Sequence, residues 1–166
     1  MIDLEDFNIK DIIVIDCEAS GLREHSYPIE VGLAFNDDSY SFLIKPEKDW
    51  TYWSKTAEKM HNIKREELFD EGISCYEAAQ RLNSQLRGLT LFSDATDYEV
   101  FWINKLFKVA QCDCLFDIDS IYSFPFSGEI YAAEKKRMRS YIVPHRAEND
   151  AIIVRESLIK SLSRYL

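Results

Sequence analysis

Asp16 and Glu18 stand one residue apart at the end of an apolar run, Ile12-Ile13-Val14-Ile15-Asp16-Cys17-Glu18. A run this rich in β-branched residues reads as a buried strand. Alternation along a strand sends both acids to one face and Cys17 to the other, into the core. Two carboxylates on one face of a core strand repel each other and resist desolvation unless something positive joins them. A divalent metal meets both demands. The alternative is an exposed strand end where both acids meet water. Ala19-Ser20-Gly21-Leu22 turns the chain sharply just beyond them.

Two further segments carry residues of the same chemistry. His145-Arg146-Ala147-Glu148-Asn149-Asp150 opens the last helical stretch, with His145 before the helix and Asp150 one turn inside it. A residue at a helix start and one a turn later can converge on a single pocket. Ala147 and Ala151 flank Asp150 and let the helix lie close to a sheet. Asp150 then suits a third metal ligand, and His145, titrating near neutral pH, suits a general base. A loop histidine and a helix-start aspartate favoured by the dipole are the plain alternatives. Between these segments lies Ser93-Asp94-Ala95-Thr96-Asp97, where either aspartate could serve as the site residue. Asp94 or Thr96 would cap the next helix. Asp97 shares a face with Val100 and Phe101, so it is expected to lean toward the sheet and to be the site residue.

The elements that must hold these residues follow from periodicity and turn signals. Strands are expected over 12–18, 29–35 and 39–44, with Asn36-Asp37-Asp38-Ser39 as a hairpin turn and Pro46 closing the third. These three form an antiparallel meander. Residues 47–73 read as a connection with short helical pieces, where Trp50 and Trp53 cover part of the core. Ser74 caps a helix that runs to Leu86, with Glu77 completing a capping box and Gly88 ending it. A short strand over 89–92 precedes a helix from Asp97 to Ala110. Residues 116–122 are ambiguous. Helices over 128–140 and 147–162 complete an α/β domain with a mixed sheet.

At 166 residues the chain suits one domain, 1–166, with a proper core. It has no apolar stretch of about 18 residues, so no membrane span is expected. Its start is acidic and lacks a signal-peptide pattern, and four irregularly placed cysteines fit reduced thiols in a cytoplasm. Cys112-Asp113-Cys114 lacks the second pair that a metal grip needs. A net charge of −9 argues against a general polyanion binder. It leaves room for an enzyme that holds nucleic acid through metals and a few local cations. One cationic run exists, Lys135-Lys136-Arg137-Met138-Arg139, and as a helix face it is most simply solvated.

The order Asp16-x-Glu18, Asp97, His145-x4-Asp150 resembles the DEDDh family of 3′–5′ exonucleases, which includes the DNA-polymerase proofreading subunit, RNase T and oligoribonuclease. Asp16-Cys17-Glu18-Ala19-Ser20-Gly21-Leu22 resembles that family's D-x-E-x-[ST]-G-L, and His145-Arg146-Ala147-x-x-Asp150-Ala151 its H-R-A-x-x-D-A. The middle block is looser. Met60-His61-Asn62-Ile63 resembles an HGI segment, with asparagine where the family usually has glycine. The resemblance covers most of the chain. It implies a ribonuclease-H-like fold, three antiparallel strands plus parallel ones flanked by helices. It also implies two-metal phosphodiester hydrolysis with Mg²⁺ or Mn²⁺. Asp16, Glu18 and Asp150 would hold the first ion. Asp16 would bridge to the second with Asp97, and His145 would take the proton from water. Ser20, Gly21, Leu22 and His61 would receive the 3′ end of a single-stranded DNA or RNA. Two other readings stay open: a catalytically weak nucleic-acid- or protein-binding module of the same fold, and an endonuclease of the wider ribonuclease-H-like group.

Overall fold

The computed structural model of the chain describes residues 8–138 and 145–164, without the side chains of Lys135, Arg137 and Met138. Of the basic run 135–139, only the Lys136 side chain is thus described, and the last two positions of the helix expected over 128–140 lie outside the described residues. Among the described residues, five strands form one mixed sheet: β1 (Val14–Ala19), β2 (Pro28–Ala34), β3 (Ser39–Leu43), β4 (Thr90–Ser93) and β5 (Asp117–Ser120), in the order β3-β2-β1-β4-β5. β1, β2 and β3 pair antiparallel, whereas β4 joins β1, and β5 joins β4, in parallel. The expected α/β sheet of antiparallel and parallel strands flanked by helices is therefore present, and the ambiguous segment supplies its fifth strand.

Among the described residues, six α-helices accompany the sheet: α1 (Lys55–His61), α2 (Arg65–Glu71), α3 (Cys75–Leu86), α4 (Thr96–Ala110), α5 (Ser127–Met138) and α6 (Ala147–Leu162). The Ser74 hydroxyl accepts from the Glu77 backbone N–H at 3.1 Å, which caps α3. The capping box expected there is not reciprocal, because the Glu77 carboxylate instead takes the Arg81 guanidinium one turn on, at 2.6 Å. Gly88 ends that helix at φ +75°, a conformation that glycine adopts without Cβ strain. Asn62 ends α1 at φ 54°, ψ 26°. Asparagine is one of the few side chains that tolerates this left-handed region, so the departure from glycine keeps the backbone path.

The alternation of β1 sets the two sides of the core. Ile13, Ile15 and Cys17 pack with α3 and α4 through Ala78, Leu82, Trp102, Ile103 and Leu106. Ile12 and Val14 pack on the other side with Ala151, Val154, Leu158 and Leu162 of α6 and Ile130 of α5. Asp16 and Glu18 continue the Ile12–Val14 side. The strand thus delivers both acids to the α6 side of the sheet, and Cys17, as expected, to the core. No helix among the described residues is long and apolar enough to cross a membrane.

A candidate metal-binding site at the end of the first strand

Two features bring α6 down onto β1. Gly32 of β2 pairs with Asp16, and a Cβ at Gly32 would lie 2.2 Å from the Ala147 carbonyl carbon. Only glycine lets the first turn of α6 rest there. Two pairs along, opposite Glu18, Glu30 is 1 % exposed and takes the Arg146 guanidinium through Nε at 2.9 Å and Nη2 at 2.6 Å. The same carboxylate accepts from the Ala147 backbone N–H at 3.1 Å, so it also caps the start of α6. The helix start is thereby fixed in height and direction, and Asp150 follows one turn later.

Asp16, Glu18 and Asp150 converge as this geometry requires: each offers a carboxylate oxygen, and the three atoms lie within 4.8 Å of one another. His145 stands beside them, with its Nδ1 2.9 Å from Asp150 Oδ2 and its backbone N–H on the Met60 carbonyl. All four line one cavity of about 350 Å³. Ala19, Gly21 and Leu22 of the turn, and His61 of α1, line it as well. Ser20 is fully buried beneath, where its hydroxyl accepts from the Tyr27 N–H and its carbonyl from the Ser54 N–H. Gly21 packs against the Tyr52 ring, where a Cβ would come within 2.6 Å. These contacts hold the turn down and leave Leu22 70 % exposed at the cavity mouth.

The middle segment departs from expectation. Asp97 is exposed and is not among the residues lining the cavity. Asp94, half-buried, and Glu99, 2 % exposed, line it instead. The reason is rotational. α4 begins at Thr96, with Ala95 as its cap, and turns its core face through Trp102, Ile103, Leu106, Phe107 and Ala110. Glu99 lies three and four residues before Trp102 and Ile103 and so shares their face. Asp97, two residues away on a helix, is turned about 200° from it. The Ser93 hydroxyl donates to Glu99 Oε2 at 2.7 Å and fixes that carboxyl at the end of β4.

The electrostatics show how crowded the acids are. Burial raises the Asp16 carboxyl well above the ordinary range, and the charges of Glu99, Glu18, Asp94 and Asp150 raise it further. Burial, with Asp150 and Glu30 next in effect, pushes Glu18 to about 8. Burial brings Glu99 to about 7 against the pull of its Ser93 hydrogen bond. Asp94 and Asp150 are also raised by burial, and His145 opposes the rise at Asp150. Five acids that each resist ionisation lie close enough that added positive charge would relieve their repulsion. His61 differs. Burial lowers it to about 4, and its Nδ1 accepts from the Ile63 N–H at 3.0 Å, which leaves the proton on Nε2. That Nε2 is buried, lies near the Ala19 carbonyl without reaching hydrogen-bond geometry, and belongs to a residue lining the cavity.

No family model matches the sequence, and no curated protein matches it. Solved structures do match in fold. Escherichia coli exonuclease I in complex with a dA16 oligonucleotide superposes with a TM-score of 0.69 at 13 % identity, over 90 % of this chain and 40 % of that one. Exonuclease I from Methylocaldum szegediense gives 0.68 at 12 % identity, over 90 % and 40 %. The zinc-bound E. coli exonuclease I–ssDNA complex gives 0.66 at 12 % identity, over 91 % and 39 %. The chain thus spans about two fifths of the length of each of these proteins. Over nearly all of its own length, it has the fold found in exonuclease I.

Proposed function

We propose that the chain is a single metal-dependent exonuclease domain of DEDDh type, releasing nucleoside 5′-monophosphates from the 3′ ends of single-stranded DNA or RNA in the cytoplasm. The observation that carries this reading is the convergence of Asp16, Glu18 and Asp150 within 4.8 Å, in a fold shared with exonuclease I. The donor set fits divalent cations. It consists of hard carboxylate oxygens, which favour Mg²⁺ or Mn²⁺, and their mutual repulsion is relieved by positive charge. Asp16, Glu18 and Asp150 would hold one ion. Asp16 would share the second with Glu99 and Asp94, which replace Asp97 in this reading. Ions bound there supply activation of water and stabilisation of the leaving oxygen.

The chain's own groups account for the remaining steps. Asp150 orients the His145 imidazole through Nδ1, and Nε2 takes the proton from the attacking water. The water oxygen bonds to phosphorus as the bond from phosphorus to the 3′ oxygen breaks. The shortened strand keeps a 3′ hydroxyl, and the released nucleotide carries the phosphate. Ser20 and Gly21 shape the turn against which the last nucleotide rests, with Leu22 wedged beside its base. His61, neutral, donates its Nε2–H to an oxygen of that nucleotide.

End-labelled single-stranded RNA and DNA, incubated with and without Mn²⁺ and resolved nucleotide by nucleotide, test the proposal. The expected result is a metal-dependent ladder that shortens from the 3′ end and yields mononucleotides. Internal cuts appearing first, or no metal-dependent trimming of either polymer, would sink it.

A further inference from the structure

Arg155 lies on α6 at 7 % exposure, a depth at which a guanidinium is costly to keep. Burial lowers its proton affinity accordingly. Its Nε donates to the Ile12 carbonyl at 2.8 Å, just ahead of β1. Its Nη2 lies 3.5 Å from both the Ile9 carbonyl and the Asn36 side-chain oxygen. These acceptors are neutral, so they tie the side chain by direction more than by charge. They join the lead-in to β1 and the turn after β2 to the middle of α6. The apolar contacts of the same helix, through Ala151, Val154, Leu158 and Leu162, have no direction of their own and fix its height less sharply. Arg155 itself does not line the cavity.

The start of α6 is already held. Arg146 and the Ala147 N–H sit on Glu30, and the Ser39 hydroxyl donates to Glu148 at 2.8 Å. All of these act at the first turn, and a rod held at one end can still pivot. Arg155 follows Arg146 by nine residues, about 13 Å along a helix, and Asp150 lies between the two. A pivot about the first turn changes the distance from Asp150 to Asp16 and Glu18, which belong to β1. Arg155 bonds to the chain that leads into that same strand, so it ties α6 to β1 directly. We propose that Arg155 is a positioning residue for the metal centre. Through the Ile12 carbonyl it locks α6 to β1, and so holds Asp150 at the spacing from Asp16 and Glu18 that a shared divalent cation needs. This rests on the metal-dependent reading above and adds to it a second anchor, outside the cavity.

Binding of Mn²⁺ to the whole chain, followed without substrate by the electron-spin-resonance signal of the free ion, tests this. Arg155→Met keeps the length and removes the donors. It should weaken Mn²⁺ affinity on the order of tenfold, the size expected when the support of a metal ligand is lost. Arg155→Lys, which keeps one donor, should weaken it less. Leu162→Ala loosens the far end of the same helix without touching the anchor. It should lower the melting temperature and leave Mn²⁺ affinity at the wild-type value. Wild-type affinity in Arg155→Met, or an equal loss in Leu162→Ala, would overturn the positioning role. If Arg155→Met does not fold, Arg155→Lys decides, and wild-type affinity there overturns the role in the same way. Absence of Mn²⁺ binding by the wild type would overturn the metal-dependent reading itself, and the anchor's role with it.

Discussion

Asp16 sits among the site's charges, and burial together with four neighbouring carboxylates raises its proton affinity. Asp16→Ala should lower hydrolysis by about 100-fold or more, the least expected when a ligand rather than its supporting shell is lost. The same change should raise metal-free stability by about 1 kcal/mol, because it removes one of several repelling buried acids. Turnover together with a melt in a chelator checks both halves, and near-normal turnover would refute the assignment. In the middle segment, Glu99→Gln should cost far more activity than Asp97→Asn, with Asp94→Asn between them. Side-by-side rates decide this order, and a severe Asp97→Asn defect would reverse it. The misplaced residue shows where the sequence was legible and where it was not. Asp16, Glu18, His145 and Asp150 lie in segments whose alternation or cap fixes the side-chain direction, and all four line one cavity. On α4 the apolar stripe is ambiguous in the sequence. Val100 and Phe101 read as a core face, yet Phe101 is 39 % exposed. The true stripe begins at Trp102 and Ile103, and counting back three or four residues from them lands on Glu99.

At the scale of elements, α6 owes its position to the backbone of β2. The sequence shows the small residues Ala147 and Ala151 on the helix, but not their counterpart. Gly32 gives no sign in the chain that it lies beneath Ala147, because that contact spans more than a hundred residues. The Glu30–Arg146 pair was hidden for the same reason: alternation puts Glu30 on a face, and only the sheet register places it opposite Glu18. Gly32→Ala tests the arrangement. The added methyl meets backbone rather than a flexible side chain, so α6 must move. Overpacking of this kind destabilises by roughly 1–3 kcal/mol. Activity should fall further than stability explains, since the displaced helix carries Asp150 and His145 away from β1. Chemical denaturation and turnover measured on one preparation compare the two losses, and unchanged activity would mean that the site tolerates a shifted α6. His145→Ala probes the same helix start by its chemistry. It should lower kcat by about 100-fold and leave KM nearly unchanged. A variant with the wild-type rate would make His145 only a loop residue.

For the whole molecule, the crowded acids make stability depend on pH and on metal in linked ways. Glu18 is pushed to about 8 and Glu99 to about 7 in the fold, against ordinary values of 4.5 when unfolded. Asp16 is raised in the same direction. Between those limits the native state binds more protons than the unfolded one, so unfolding free energy falls as pH rises. The metal-free protein should therefore be most stable near the lower end of this window and weaken steadily toward pH 8. Divalent cations act oppositely. They require the carboxylates ionised, so their binding strengthens with pH and releases protons. Added Mn²⁺ should stabilise the protein little near pH 5 and strongly near pH 8, as binding to the native state alone requires. Melting temperatures over this range, in chelator and in excess Mn²⁺, give two curves that diverge as pH increases. The Asp16→Ala variant should show a shallower metal-free slope and little Mn²⁺ effect at any pH. Parallel curves for the wild type would show that the acids at the end of β1 hold no cation, leaving them a buried cluster without chemistry.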